Sequence, residues 1–254
     1  YQSSRAYNAR ARSGADAYAI DEGLRSYMIR VYTYMGIGLV LTGVVAYAFF
    51  TMAVVTDPAT GHITAFTPLG NTIYHSWVKW LVMFSPLAIV FLFAARVNQM
   101  SSATAQAVFW LFAALMGLSL SSIFVIYTGA SIARIFFITA ATFGTVSLYG
   151  YTTKRDLTQF GSFLMMGVIG IVIASIVNAF LGSTGLQFAI SVLAVLIFTG
   201  LTAYDTQQLK DNYYSNAQGG EETLARSAIM GALSLYLDFI NIFIALLQLF
   251  GDRR

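Results

Sequence analysis

The sequence predicts an all-α, polytopic membrane protein built as a bundle of seven transmembrane helices. Hydrophobic residues make up 57% of the 254 residues and charged residues only 10%, whereas an ordinary soluble domain carries about 25% charged residues. The mean hydropathy is +0.70. Seven stretches are apolar and long enough to cross the hydrocarbon layer, which takes ~20 residues per helix. We therefore expect lipid, rather than water, to solvate the outer surface.

The seven stretches follow one another with few interruptions. They lie at about 31–55, 78–95, 104–127, 132–149, 162–181, 186–208 and 227–250. Two connections are longer than the others: a turn-rich loop at 56–77, and a polar segment at 209–226 that contains two adjacent glycines. These boundaries predict a polar, cytoplasmic N-terminal tail at 1–30 and a single seven-helix transmembrane domain at 31–254.

Small residues spaced four apart are typical of close contacts between transmembrane helices. Three such pairs predict contact faces on the fourth, fifth and seventh helices. They are Ala140 with Gly144, Gly170 with Ala174, and Ser227 with Gly231.

Lysine and arginine are unevenly divided between the two sides of the predicted membrane. Lys79, Arg134, Arg253 and Arg254 lie on one side, which leaves ten of the 14 basic residues on the side of the N-terminal tail. Because basic residues accumulate on the cytoplasmic side, this division predicts a cytoplasmic N terminus. Seven spans then place the C terminus outside, although its two arginines argue against that side.

Several functional classes are excluded or disfavoured. The net charge of +3 comes from tails and short loops rather than from one dense basic face, so we expect no nucleic-acid partner. The chain contains no cysteine. His62 and His75 are too few for a zinc site, and they read as exposed loop residues. No zinc-protease motif, nucleophile elbow or phosphate-binding loop is present, and we expect neither an enzyme nor a resident cofactor.

Two acidic residues lie within the predicted spans, where charged side chains are costly and rare. Asp205 is near the cytoplasmic end of the sixth span, and Asp238 is near the middle of the seventh. Each has polar neighbours that share its helical face. These neighbours are Thr202 and Gln208 in the sixth span, and Ser234 and Asn241 in the seventh.

The sixth and seventh spans are consecutive and antiparallel, so the two carboxylates could meet. Their depths in the membrane differ by ~11 Å, if Asp205 is counted from Lys210 and Asp238 from Arg226 at ~1.5 Å per residue. The difference shrinks if the sixth helix continues to Tyr213 and Tyr214, an aromatic pair suited to the membrane interface. The alternative is that each aspartate only pairs with a buried cation or caps a helix break.

Two carboxylates in one dry place cannot both remain charged without cost, so such a pair can share a proton and sense pH. The same pair is a weak candidate site for a hard cation such as Ca²⁺, which prefers oxygen ligands. Arg96, at the cytoplasmic end of the second span, is a candidate latch that could pair with either aspartate, or an arginine that only anchors the interface. The sequence lacks the Gly-x-Gly-Asp motif of intramembrane aspartyl proteases, which disfavours that alternative.

Four sequence segments carry a resemblance to a known family. They read AYDTQ at 203–207, LYLDFIN at 235–241, GLSLSS at 117–122 and LYGYTTKRDL at 148–157. Together with the seven spans, they resemble the transmembrane Bax inhibitor motif family over nearly the whole chain from the first span onward.

The resemblance implies a seven-helix fold in which the last helix is central and surrounded by the other six. It also implies a pH-sensitive Ca²⁺ leak whose sensor aspartates correspond to Asp205 and Asp238, and whose competing arginine corresponds best to Arg96. Eukaryotic members typically end in a lysine-rich tail, whereas this chain ends in Gly-Asp-Arg-Arg. We therefore expect a bacterial inner-membrane protein, with a mitochondrial inner-membrane homologue as the alternative.

These observations lead to two functional hypotheses. In the first, the chain is a pH-sensitive Ca²⁺ leak in which protons and Ca²⁺ act at the aspartate pair. In the second, it is a regulatory membrane protein that modulates a membrane protease or the stress and cell-death machinery through its N-terminal tail or the segment 209–226. The aspartates would then mainly stabilise the bundle.

Overall fold

The computed structural model describes residues 2–57, 62–216 and 219–254, with side chains from Glu22 onward except that of Asn98. Within these residues the chain is almost entirely helical, which confirms the predicted all-α class. The helices are α1 (Gln2–Ala53), α2 (Pro68–Gly70), α3 (Val78–Arg96), α4 (Ser102–Leu120), α5 (Ile123–Ile126), α6 (Gly129–Thr152), α7 (Thr158–Leu181), α8 (Thr184–Asn216) and α9 (Gly220–Phe250).

Seven segments of the described chain are long and apolar enough to cross a membrane, as the sequence predicts. They are α1 from Glu22 onward, α3, α4 together with the single turn α5, α6, α7, α8 and α9. This architecture is that of an integral membrane protein. The sixth of these helices, α8, continues to Asn216 and so passes Tyr213 and Tyr214, which meets the condition set above for the two aspartates to approach each other.

Helix α1 packs on the bundle already before residue 31, the predicted start of the first span. Leu24, Tyr27 and Met28 recur at helical spacing and are buried. The side chains of the first 21 residues lie outside the described part of the chain. The role of the predicted tail therefore stays a prediction.

The long loop after α1 contains regular structure that the sequence analysis did not predict. Strand β1 (Val54–Thr56) pairs in antiparallel fashion with β2 (Ile63–Phe66). The turn α2 and a π-helical turn at Asn71–His75 follow. The predicted turn residues at 58–61 lie outside the described residues. His62 and His75 are both exposed, as expected.

The C-terminal helix α9 is the centre of the bundle, as the family resemblance implies. In its most apolar window 72% of the residues are buried, whereas the share is at most 33% in the other six spans. It packs chiefly against α8, α1, α6 and α4, while α3 packs mainly on α4 and α7 on α8. The surrounding ring is therefore uneven, with α3 and α7 as outer helices.

Tyr236 ties α9 to two of its neighbours. Its ring makes edge-on contacts with Phe109 and Phe112 of α4. Its hydroxyl lies 2.7 Å from Oγ1 of Thr42 in α1. A buried tyrosine needs such a partner for its hydroxyl, and this contact fixes the rotation of α9 within the bundle.

The two ends of the bundle differ in their connections. We call the end with the α8–α9 connection the hairpin end, and the opposite end the C-terminal end. The C terminus lies beside the turn that precedes α6: the backbone N–H of Arg254 donates to the Ile126 carbonyl at 2.9 Å. Asp252 forms an ion pair of 2.8 Å with Arg134. An odd number of spans thus places the two chain ends on opposite sides.

One of the three predicted small-residue contacts is confirmed. Gly231 faces Leu209 of α8, and its partner Ser227 lies 3.0 Å from the hydroxyl of Tyr27. The other two predictions are wrong, because a side chain added at Gly144 or Gly170 would meet nothing within 4 Å. The two glycines thus make no close helix contact, although Ala140 packs against the core.

Candidate functional site

The two aspartates lie along the seam between α8 and α9, the most extensive helix contact in the fold. Two contacts fix the register of these antiparallel helices. Leu209 packs on Gly231 near the hairpin end, and Ser191 donates to Gln248 at 2.8 Å near the C-terminal end. This register places Asp238 about level with Thr202, and Asp205 about one turn, or ~4.5 Å, closer to the hairpin end.

Asp238 is the buried member of the pair. The residue is only 4% exposed, and its Oδ2 atom has no hydrogen-bond partner within the described residues. A buried polar atom without a partner costs about 1–3 kcal/mol. Such an atom in a native fold calls for an explanation, and a bound water or ion is one of the usual ones.

Asp205 is half-buried and lies nearer the hairpin end. No ion pair or hydrogen bond joins it to another described residue. The two carboxylates are close enough to repel each other when both are charged. The structure therefore brings together the two residues that the sequence analysis selected, with Asp205 half-buried near the hairpin end and Asp238 enclosed.

Both aspartates lie on the side of the seam that faces away from α6. The contacts of α8 with α6 run through Ala203, which abuts Gly150, and through Thr206. On α9 the contact with α6 runs through Phe239, whose ring meets Phe143. Asp205 and Asp238 are each rotated by about 100° from Thr206 and Phe239, respectively, and so share the opposite side.

The predicted supporting residues divide into two kinds. Thr202 is fully buried, and its hydroxyl donates to the Phe198 carbonyl at 2.8 Å, so it packs the seam. Ser234, Asn241 and Gln208 are half-buried and lie on the aspartate side. The Asn241 amide donates to the Leu237 carbonyl at 2.8 Å, which leaves its carbonyl oxygen available to another partner.

Arg96 does not contact the pair in this structure. Its side chain is exposed at the end of α3, and among the described residues it forms no ion pair with Asp205 or Asp238. A latch that uses this arginine would require the end of α3 to move toward the seam. The predicted latch therefore stays a prediction about another conformation.

A hydrogen-bond chain next to the site was not predicted. Ser147 of α6 bridges the hydroxyls of Tyr32 in α1 and Thr206 in α8, the latter at 3.0 Å. One turn further, the Lys210 ammonium donates to the Tyr151 carbonyl at 2.7 Å. The sequence does not predict such a chain, because each hydroxyl contributes to it only through partners on other helices.

This donor set can hold a proton or a weakly bound cation. Within the described residues, no cluster of three or more histidine, cysteine or acidic side chains exists. Two carboxylates and neutral oxygens such as that of Asn241 are fewer ligands than a tight Ca²⁺ site uses. The chemistry fits an ion that binds briefly and leaves, rather than a resident structural metal.

Comparison with known proteins finds one family and several related proteins that match nearly the whole chain. A family model described as "Inhibitor of apoptosis-promoting Bax1" matches residues 24–254. The chain is 45% identical over 232 residues to the inner membrane protein YbhL of Escherichia coli, covering 91% of this chain and 94% of that one. It is 45% identical over 234 residues to an uncharacterized protein of Rickettsia prowazekii, with 92% of both chains covered. An uncharacterized membrane protein of Streptococcus pyogenes is 34% identical over 232 residues, with 91% and 94% covered.

Proposed function

The chain belongs to the Bax1 inhibitor family of membrane proteins, and from that premise we propose that it is a pH-sensitive Ca²⁺ leak controlled by Asp205 and Asp238. The observation that supports this proposal most strongly is the buried Oδ2 of Asp238, which has no hydrogen-bond partner in the described part of the chain and lies about one turn from a second carboxylate. A site built only for stability would have paired this atom. An ion pathway needs an oxygen that is free to exchange partners.

In this proposal the two carboxylates form one unit. When both are charged, they repel each other and attract a cation that enters the seam. When one takes up a proton, the repulsion falls and the attraction for Ca²⁺ weakens. Acidification therefore changes both the occupancy of the site and the packing of α8 against α9, without any enzymatic step.

Arg96 adds a second control in the same proposal. An arginine that reached the seam would compete with Ca²⁺ for a carboxylate and close the path. Its exposed position at the end of α3 corresponds to a conformation with the latch released. Because α3 packs mainly on α4 rather than on α9, its end can move without disrupting the central helix.

The test is Ca²⁺ flux from liposomes that contain the purified protein, measured from about pH 5 to about pH 8. We expect the wild type to change its flux across this range, and Asp205→Asn and Asp238→Asn to lose most of the change. Asp211→Asn is the matched control, because Asp211 is exposed on the same helix. Identical pH profiles for all four proteins would overturn the proposal.

The second candidate function is regulation of another membrane protein, such as a membrane protease or a component of the stress or cell-death machinery. The description of the family as "Inhibitor of apoptosis-promoting Bax1" favours it. Here the first 30 residues or the segment 209–226 would contact the partner. If the tail makes this contact, deleting the first 21 residues should abolish the regulatory effect while leaving reconstituted flux intact. A regulatory effect that survives the deletion would exclude the tail as the contact.

We further propose that the protein resides in a bacterial inner membrane with its N terminus in the cytoplasm. The name of the Escherichia coli relative supports this location, and the basic residues at the hairpin end support the orientation. A cysteine introduced at Gly219, at the hairpin end, should react with an impermeant reagent only after the inner membrane is opened. Reaction in cells with an intact inner membrane would contradict the orientation.

A further inference from the structure

Polar side chains continue along the α8–α9 seam from the aspartates to the C-terminal end of the bundle. Asp238 is followed on the same side of α9 by Asn241 and, two turns further, by Gln248. Across the seam, Gln187 of α8 meets Gln248, with its amide nitrogen 2.8 Å from the Gln248 carbonyl oxygen. These residues lie on the side that faces away from α6.

At the C-terminal end, side-chain amides join three helices. Asn178 of α7 donates to Gln187 of α8 at 3.0 Å, and Gln187 donates to Gln248 of α9. The Ser191 hydroxyl donates to the same Gln248 oxygen at 2.8 Å. We call these four side chains the amide cluster. Asn178 and Ser191 are buried while Gln248 is exposed, so the cluster connects the bundle surface with its interior.

Two alanines line the seam between the amide cluster and Asn241. The register places Ala194 of α8 about level with Ala245 of α9, and both are buried. Small side chains at facing positions leave the least material between the polar groups above and below them. They form an apolar step in the line from Gln248 to Asp238, which covers ten residues or ~15 Å.

We propose that this side of the seam is the aqueous path by which cations pass between the aspartate pair and the C-terminal end. Asn241 is an intermediate oxygen ligand, Ala194 and Ala245 form the apolar step where little side-chain material blocks the seam, and the amide cluster forms the mouth. The proposal rests on the leak function and assigns the half of the path that the aspartates do not occupy. The partnerless Oδ2 of Asp238 lies at the inner end of the path, where water or a cation would supply the missing contact.

The natural chain contains no cysteine, so single cysteines report water access without further changes. We compare Asn241→Cys with Leu247→Cys in vesicles, using a cationic, membrane-impermeant methanethiosulfonate added to each side in turn. Leu247 is about 9 Å closer to the C-terminal end but buried on another face of α9. Reagent from the C-terminal side should label position 241 at least about tenfold faster, although position 241 is deeper.

A second pair of variants tests the room that the two alanines leave. Ala245→Leu fills the proposed path and should slow both the labelling of Asn241→Cys and the flux of Ca²⁺. Gly144→Leu, on the outer face of α6 where nothing lies within 4 Å, adds the same side chain outside the path and should change neither. Thermal melting of each variant shows whether the bundle is still folded, and Ala194→Val offers a smaller plug if Ala245→Leu is not.

The outcomes separate this inference from the proposed function. Equal, slow labelling at 241 and 247 would overturn the path, even if the aspartate variants change the pH profile of flux. Fast labelling at 241 alone, combined with slower labelling in the plugged variant, supports the path. Fast labelling in a protein without any Ca²⁺ flux supports a water-filled seam and overturns the leak.

Discussion

Asp238 of α9 lies about one helical turn from Asp205 of α8, on the side of the seam that faces away from α6. The close approach depends on the register set by Leu209 against Gly231, and on the continuation of α8 to Asn216. A carboxylate near the rim is thus coupled to one enclosed by the bundle. The predictions below test the packing that holds this arrangement and the chemistry that it allows.

The first prediction concerns the contact between α6 and α8. A methyl group added to Gly150 would lie 2.3 Å from the backbone oxygen of Ala203, and backbone cannot move aside as a side chain can. Gly150→Ala should therefore lower stability by about 1–3 kcal/mol, seen as a lower melting temperature in detergent. Gly144→Ala, on the same helix with open space around it, should melt like the wild type or slightly higher. Equal melting of both variants would show that the helices are less closely packed than the structure indicates.

The second prediction is that Asp238 lowers the thermal stability of the fold and is nevertheless needed for the pH response of flux. Replacing it with leucine removes the buried atom that lacks a partner among the described residues, a gain of about 1–3 kcal/mol, and puts a somewhat larger apolar side chain of the same branched shape in its place. Asp238→Leu should thus raise the melting temperature by a few degrees while the pH response of flux is lost. A drop in melting temperature of the same size would mean that Asp238 has a stabilising partner that this account lacks.

The third prediction concerns the hydrogen-bond chain beside the site. Ser147→Ala removes the link between Tyr32 and Thr206 and leaves the half-buried Tyr32 hydroxyl without this partner, at a cost of about 1–3 kcal/mol. Thr206 keeps its bond to the Thr202 carbonyl. The melting temperature should fall by several degrees. Thr145→Ala is the control, because the Thr145 hydroxyl is exposed on the same helix and donates to the Ala141 carbonyl of that helix. If both variants melt alike, the chain Tyr32–Ser147–Thr206 contributes nothing to stability.

The fourth prediction gives a pH dependence outside the membrane. The Asp156 carboxylate accepts from the Thr158 backbone N–H at 2.9 Å where α7 begins, and the hydrogen bonds from Thr158 hold the pKa of Asp156 below its ordinary value. A lowered folded-state pKa stabilises the fold above the unfolded-state pKa, and the effect is lost as the pH falls through the folded-state value. Asp156→Ala should therefore melt lower than the wild type at neutral pH. The difference should shrink below about pH 3.9, and a constant difference at every pH would exclude the carboxylate as its source.

The sequence was sufficient to predict the seven spans and the aspartate pair, for a physical reason. An apolar stretch of about 20 residues is typical of a helix that crosses the membrane. An acidic side chain inside such a helix costs enough free energy to indicate a functional role. The approach of Asp205 to Asp238 depended on how far α8 continues, a boundary that the polar residues after Gln208 obscured. Helix ends are set by contacts such as that of Tyr213 with Tyr27, which composition does not reveal.

Contacts between separate helices were predicted less well. Gly231 was recognised from its spacing, but Gly144 and Gly170 have the same spacing and face open space. Gly150, which approaches the α8 backbone, had no partner at that spacing to mark it. The amide cluster was also missed, because Asn178, Gln187 and Gln248 are ordinary polar residues near helix ends until the fold brings them together.

The most direct test of the central claim is a double-mutant cycle on the pH dependence of Ca²⁺ flux in liposomes. If Asp205 and Asp238 titrate as one unit, removing either carboxylate already breaks the unit. Asp205→Asn, Asp238→Asn and the double variant should then show the same flattened profile, with the wild type alone responding to pH. Additive effects, in which each variant removes its own share of the response, would contradict the account.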